Sequence, residues 1–181
     1  KELYNGDKIK LLIRNISDAI CGEFPVKQLS KIVLIGIQLK GVPFAARIRK
    51  NILDINNIDV PLGTIDISMY RDDIGFRKEI SRTYETSIPF DIEDKTIILV
   101  DDVLHTGRTI RAALDAITDY GRPKLIRLAV LIDRQMREFP IQADYAGIRK
   151  LFPKEKKISV KWKELGEKDA VYLSSKCISS V

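Results

Sequence analysis

Residues 96–109 read TIILVDDVLHTGRT: an apolar run, two adjacent carboxylates and a small polar turn. TIILV (96–100) has the length and β-branched content of a strand buried on both faces. Asp101 and Asp102 follow where that strand is expected to stop. Like charges at neighbouring positions repel, and desolvation beside a core adds to the cost. A positive group, or one rich in hydroxyls, is therefore expected to face them. After HTGRT the chain continues as TIRAALDAITDYG (109–121), whose apolar spacing predicts a helix closed by Gly121.

The same reading extends in both directions. Ile9 to Phe24 carries apolar residues at helical spacing, with Gly22 and Pro25 near its end. KIVLIGI (31–37) is a continuous apolar run and predicts a buried strand. GVPFAARIRKNI (41–52) predicts a helix, with Pro43 tolerated in its first turn. LGTIDISMYR (62–71) alternates as a strand, whereas RDDIGFRKEISRTYETSIPF (71–90) has no clear period and reads as a long loop or hairpin. KLIRLAVLID (124–133) predicts another strand, and ISVKW (158–162) a last one. Buried strands alternating with helices argue for an α/β fold with a mostly parallel twisted sheet, and residues 1–181 are expected to form one domain.

In such sheets ligands bind at the carboxyl ends of the strands. Three of these ends carry polar or charged residues: Gln38 to Gly41, Asp101 with Asp102, and Asp133 with Arg134. Thr106, Gly107, Arg108 and Thr109 add hydroxyls, a permissive glycine and the amides of a helix N-terminus, which together can cradle a phosphate. A TGRT turn by itself is equally an ordinary helix start. Following two acids and a buried run, it favours a phosphorylated sugar, whose hydroxyls suit the carboxylates. GxGxxG is absent, GIQLKG lacks the Lys-Ser/Thr of a P-loop, and a single histidine, His105, excludes a multi-histidine metal site.

The chain carries a formal charge of +6, and the excess is concentrated: Arg122 to Lys168 holds 13 basic residues against six acidic ones. This is either a solvated basic surface or the footprint of an anionic partner. No apolar stretch reaches the roughly 18 residues that cross a bilayer. KELYNGDKIK has no signal-peptide core, and Cys21 and Cys177 lie far apart, so a cytoplasmic protein with reduced thiols is expected.

ILVDDVLHTGRT resembles the PRPP motif of type I phosphoribosyltransferases, which join 5-phosphoribosyl 1-pyrophosphate (PRPP) to a nucleobase. GTIDISMYRDD, IPFDIEDKTIILVDDVLHTGRTIRAALDAITDYGRP and RLAVLIDRQMREFPIQADYAG further resemble the bifunctional PyrR family, from about Ile32 to Gly147. The resemblance implies a type I phosphoribosyltransferase fold with a flexible hood loop, uracil phosphoribosyltransferase activity, and uridine-nucleotide-dependent binding of pyrimidine-operon mRNA that attenuates transcription. PRPP, uracil, UMP and UTP are the implied small molecules, Mg²⁺ the implied cofactor, and a homodimer or larger homo-oligomer the implied assembly.

Residue by residue, the resemblance implies that Asp101 and Asp102 meet the ribose hydroxyls and Mg²⁺, directly or through water, so that no protein cation is needed to offset them. Val103, Leu104, His105, Thr106, Gly107, Arg108 and Thr109 would surround the 5′-phosphate, and Leu39, Lys40 and Gly41 match the pyrophosphate loop, which in the family often contains a cis peptide. Arg71, Asp72 and Asp73 begin the hood loop, with Arg71 reaching pyrophosphate. Tyr145 would stack on the base, with Ala146, Asp133 and Arg134 beside it; Asp133, Arg134 and Arg137 equally suit a structural ion-pair network. Arg137, Arg149, Lys150 and Lys154 are the candidate RNA contacts. Two departures stand out. His105 occupies a position that is Asp in purine-using relatives and commonly Tyr in pyrimidine regulators, which makes it a candidate proton acceptor. Gln135 and Met136 replace the Gly-His of DRGHRELP, which bears on the RNA role. A regulator that has lost the chemistry, and a purine phosphoribosyltransferase, are the competing readings.

Overall fold

The computed structural model describes residues 1–70 and 84–175. In chain order the elements are β1 (Glu2–Asn5), α1 (Gly6–Glu23), the short α2 (Val26–Leu29), β2 (Ile32–Ile37), α3 (Gly41–Asn56), β3 (Leu62–Ile65), β4 (Thr96–Leu104), α4 (Arg108–Thr118), β5 (Leu125–Asp133), β6 (Tyr145–Arg149), β7 (Lys156–Lys161) and β8 (Ala170–Ser175). The apolar runs become a five-stranded parallel sheet of order β3-β2-β4-β5-β6, with β4 at its centre. All six residues of β2 are buried, as a strand covered on both faces requires.

Each face of this sheet has its own core. Ile9, Leu12, Ile13, Ile16 and Ile20 of α1 join Phe44, Ala45, Ile48 and Ile52 of α3 over Leu34, Ile98 and Val100. On the opposite face Ile110, Ala113 and Ile117 of α4 cover Ile35, Ile97, Leu99 and Val130. Asn5 caps α1 by accepting from the amide of Lys8, and α3 closes on Asn57 in the left-handed region.

Several expectations are corrected. The strand starting at residue 62 stops at Ile65 and gives way to a 3-10 turn over Ser68–Tyr70, where the side chain of Asp66 binds the amide and hydroxyl of Ser68. The central strand does not end at Val100 but runs on to Leu104, so Asp101 and Asp102 lie within it, in register with β5. β1, β6 and β8 were not anticipated. β1, β8 and β7 form a second, antiparallel sheet whose Val160 and Val171, with Trp162 just after β7, share the core of α1 and α3.

Arg47 of α3 ties that second sheet down. Its guanidinium binds both oxygens of Glu164 at 2.9 and 2.7 Å and reaches Asp169 at 2.8 Å, while lying 4.8 Å above the ring of Trp162, on which Phe44 stacks. The paired cation holds the carboxyls of Glu164 and Asp169 below the usual range, against the opposing pull of burial. Arg47→Ala strands two carboxylates and uncovers an indole, and is expected to cost about 2–3 kcal/mol. Urea denaturation measures the loss, and hydrogen exchange should show amides of β7 and β8 losing protection first.

Candidate active site

The centre of the site is the last third of β4. Side-chain alternation puts Asp102 on the face of Ile98 and Val100, toward α3, and Asp101 on the opposite face. Asp101 is 7% exposed, and one of its oxygens accepts the amide N–H of Asp102 at 2.8 Å. Burial, reinforced by the charge of Asp102, pushes the carboxyl of Asp101 well above the usual range. Burial also raises Asp102, against the opposing pull of Lys40.

Lys40 corrects the expectation that no protein cation meets the acids. Its Nζ lies 3.8 Å from Asp102 Oδ2 and donates to Ser159 Oγ at 3.4 Å, so it reaches from the loop after β2 across the cleft to β7. The peptide between Gln38 and Leu39 is cis, as the family likeness led one to expect. Gly41 is pressed against β4: a Cβ there would sit 2.3 Å from the carbonyl oxygen of Val100. Only glycine allows this approach, which brings the loop within reach of the acids.

Val103–Ile110 line a cavity of about 220 Å³. Gly107 has φ 93° and starts α4 with no side-chain cap, leaving the helix N-terminus turned to the loop. Below the loop runs the segment 134–139. The amide of Arg134 donates to the Leu104 carbonyl at 2.9 Å, Arg137 Nη1 to the His105 carbonyl at 2.8 Å, and the amides of Glu138 and Phe139 to the Thr106 carbonyl at 2.9 and 3.0 Å. Arg108 Nε binds Glu138 at 2.7 Å, and Phe139 lies against the glycine turn. A second cavity of about 440 Å³, lined by His105, Thr106, Met136, Arg137, Glu138 and Lys154, adjoins the first through His105 and Thr106.

The structure brings Leu39, Lys40, Gly41, Asp101, Asp102 and residues 103–109 to this strand-end cleft, and it places other candidates differently. Tyr145 does not reach it: its ring belongs to the core with α1, and its hydroxyl donates to Glu23, so the expected base-stacking ring faces the wrong way. Burial and Glu23 push the Tyr145 phenol far up. Ala146, half-buried, packs on the opposite face of the sheet. Asp133 is 4% exposed, with Oδ1 taken by the amide of Gln135 and by Arg137. Arg134 is 3% exposed and donates to the carbonyls of Pro153 and Lys156; burial without a carboxylate lowers its guanidinium. Arg137 faces inward, unlike the RNA contact expected of it, because its nitrogens bind Ile141 O, His105 O and Asp133. Arg149 binds the carbonyls of Ala143 and Asp144, and it is exposed with Lys150 and Lys154. Arg71 lies outside the described residues.

The Arg137–Asp133 pair is the structural ion pair that the sequence allowed, whereas Ser159 and the Arg137 bond to the His105 carbonyl had no signal, since Ser159 is 119 residues from Lys40 and Arg137 is 32 from His105. Among the described residues no group of three or more His, Cys, Asp or Glu side chains can hold a metal ion. The two carboxylates nevertheless suit Mg²⁺, which takes oxygen ligands and few of them from protein.

The sequence model of the phosphoribosyl transferase domain family matches residues 1–164. The bifunctional protein PyrR of Roseiflexus sp. (strain RS-1) is 43% identical over 174 residues, 96% of this chain and 94% of the relative. PyrR of Picosynechococcus sp. is 41% identical over 95% of this chain and 96% of its own length. PyrR of Listeria monocytogenes serotype 4a is 53% identical over 67% of this chain and 68% of its own. Among solved structures, the hypoxanthine phosphoribosyltransferase of Trypanosoma cruzi superposes with a TM-score of 0.74, covering 97% of this chain and 96% of that one at 20% identity, a likeness of fold.

Proposed function

The chain belongs to the phosphoribosyl transferase domain family and, within it, to the bifunctional PyrR proteins, and on that premise we propose that it converts uracil and PRPP to UMP and pyrophosphate and regulates pyrimidine genes by binding their mRNA. The observation that carries the enzymatic half is the joining, in one strand-loop-helix, of a buried acid pair to a loop whose Leu104, His105 and Thr106 carbonyls are bonded to a single segment. Relatives at 41–53% identity support this pyrimidine reading, and the purine enzymes share the fold at 20% identity. The purine alternative is not favoured.

In this reading Asp101 and Asp102 accept hydrogen bonds from the ribose hydroxyls and fix the sugar. Residues 103–109 hold the 5′-phosphate, with the amides and the α4 N-terminus supplying positive potential. Lys40, released from Asp102 and Ser159, turns to the pyrophosphate beside Leu39 and Gly41. Asp101 and Asp102 would hold Mg²⁺, which would supply charge neutralisation for the pyrophosphate leaving group. A bond forms between the uracil ring nitrogen and the anomeric carbon as the carbon–oxygen bond to pyrophosphate breaks, and the ring nitrogen gives up its proton. In this reading His105, which lines both cavities, accepts that proton. Most of the rate then comes from positioning and electrostatics, with no covalent intermediate.

For the regulatory half, exposed Arg149, Lys150 and Lys154 supply the anion-facing surface, and Arg137 does not. The protein acts in the cytoplasm as a homodimer or larger assembly. No helix of the described residues is long and apolar enough to cross a membrane. Incubation with PRPP, Mg²⁺ and a panel of bases should yield UMP and pyrophosphate from uracil and nothing from hypoxanthine or guanine. Nucleotide formed from a purine, with uracil unused, would reverse the assignment. Tight PRPP or UMP binding without product would leave a sensor. RNA binding should fall steeply with salt and rise with UMP.

A further inference from the structure

The loop between β4 and α4 has an underside that is almost fully hydrogen-bonded. The carbonyls of three consecutive residues, Leu104, His105 and Thr106, all accept bonds from the segment 134–139. In a planar trans peptide the N–H points away from the C=O. Fixing those three carbonyls therefore turns the amides of His105, Thr106 and Gly107 away from the segment, the orientation an anion cradle requires. Main-chain amides hold the outer two carbonyls, and a side chain, Arg137, holds the middle one.

Arg137 suits that task. Its planar fork spans three groups at once: Nε donates to Ile141 O at 2.7 Å, Nη1 to His105 O at 2.8 Å, and Nη2 to the carboxylate of Asp133 at the end of β5. Asp133 is 4% exposed and also takes the amide of Gln135, so both partners are locked. A lysine in the same place has no fork and cannot bridge the three groups together.

We infer that Arg137 is a positioning residue for phosphate binding, fixing the His105 carbonyl so that the loop amides face the 5′-phosphate. The inference rests on the assignment of residues 103–109 as the phosphate cradle. It places the guanidinium behind the cradle, where the side chain also lines the second cavity.

Full-length wild type, Arg137→Gln and Arg137→Lys are compared by calorimetric titration with ribose 5-phosphate and by steady-state kinetics with PRPP and uracil. In Arg137→Gln the ribose 5-phosphate Kd and the KM for PRPP should each rise about tenfold or more. KM for uracil should rise less than KM for PRPP, because Arg137 holds the backbone carbonyl of His105 and not the ring assigned to the uracil proton. Arg137→Lys, which keeps the charge beside Asp133, should fall between the two, and it carries the test if Arg137→Gln proves too unstable to assay. Unchanged phosphate affinity in a folded variant overturns the inference. So does an equal loss for uracil and PRPP, which would mark a general structural role. If wild type binds neither ribose 5-phosphate nor PRPP, the cradle assignment itself fails and the inference falls with it.

Discussion

Replacing both acids, Asp101→Asn with Asp102→Asn, is expected to lower UMP formation by about 10³-fold and at the same time to stabilise the fold. The loss follows from the assigned role: neutral amides keep the shape but not the charge that holds ribose hydroxyls and Mg²⁺. The gain follows from burial. Both carboxyls are raised by desolvation, and Asp101 also by its neighbour; Lys40, 3.8 Å from Asp102, opposes the rise in both without cancelling it. Asn keeps the carbonyl oxygen that accepts the main-chain amide of residue 102, so that hydrogen bond survives. Removing the charges should return about 1–2 kcal/mol, a rise in melting temperature of roughly 3–6 °C for a chain of this size.

The pH dependence identifies the cause. A carboxyl raised in the fold binds its proton more tightly there than in the unfolded chain. Its favourable contribution is complete below the unfolded value, about 3.9 for Asp, and is lost as pH rises through the raised folded value. The stability gap between the Asn variant and wild type should therefore be widest near neutrality and narrow on acidification. A constant gap would mean that side-chain shape, not charge, sets it. Titrating wild type with Mg²⁺ and PRPP should close the gap from the other side, because binding neutralises the same carboxylates.

The second large effect is expected of Gly41→Ala. The added Cβ would meet the Val100 carbonyl oxygen at 2.3 Å and the Asp101 Cα at 3.3 Å, both backbone atoms of the central strand. Val100 is paired with Gly36 of β2, so the strand cannot yield without breaking a ladder. Either α3 shifts outward or the Val100–Asp101 peptide tilts, and both displace the acid pair. A cost of about 2–3 kcal/mol is expected, together with loss of measurable PRPP binding. Gly22→Ala provides the contrast: nothing lies within 4 Å of its Cβ, and it sits inside α1. That variant should be neutral or more stable by up to about 1 kcal/mol. Thermal melts with PRPP titration check both, and equal behaviour of the two variants would refute the packing argument.

Some of this was readable without coordinates. Continuous apolar runs at 31–37, 96–100 and 124–133 announced buried parallel strands, because a strand covered on both faces needs no polar side. The acid pair followed by TGRT announced the site for a similar reason: strand end, loop and helix start are consecutive in the chain. Where the strand ended was less legible. Asp101 and Asp102 read as a terminus, yet β5 continues far enough to pair with them through Asp133. Tyr145 was misplaced because alternation separates the two faces of β6 without saying which is turned to α1 and which to α4.

The sequence alone thus determined the parallel α/β core and the acid-and-phosphate segment, since both are written in residues a few positions apart. Tertiary structure decided the rest. It paired β1 with β8 across about 170 residues, brought Ser159 and Asp102 to Lys40, and turned Arg137 under the phosphate loop. Such contacts join segments with no local periodicity in common. A basic side chain that reads as a surface charge becomes an internal clamp only when the fold has placed carbonyls and a buried carboxylate around it.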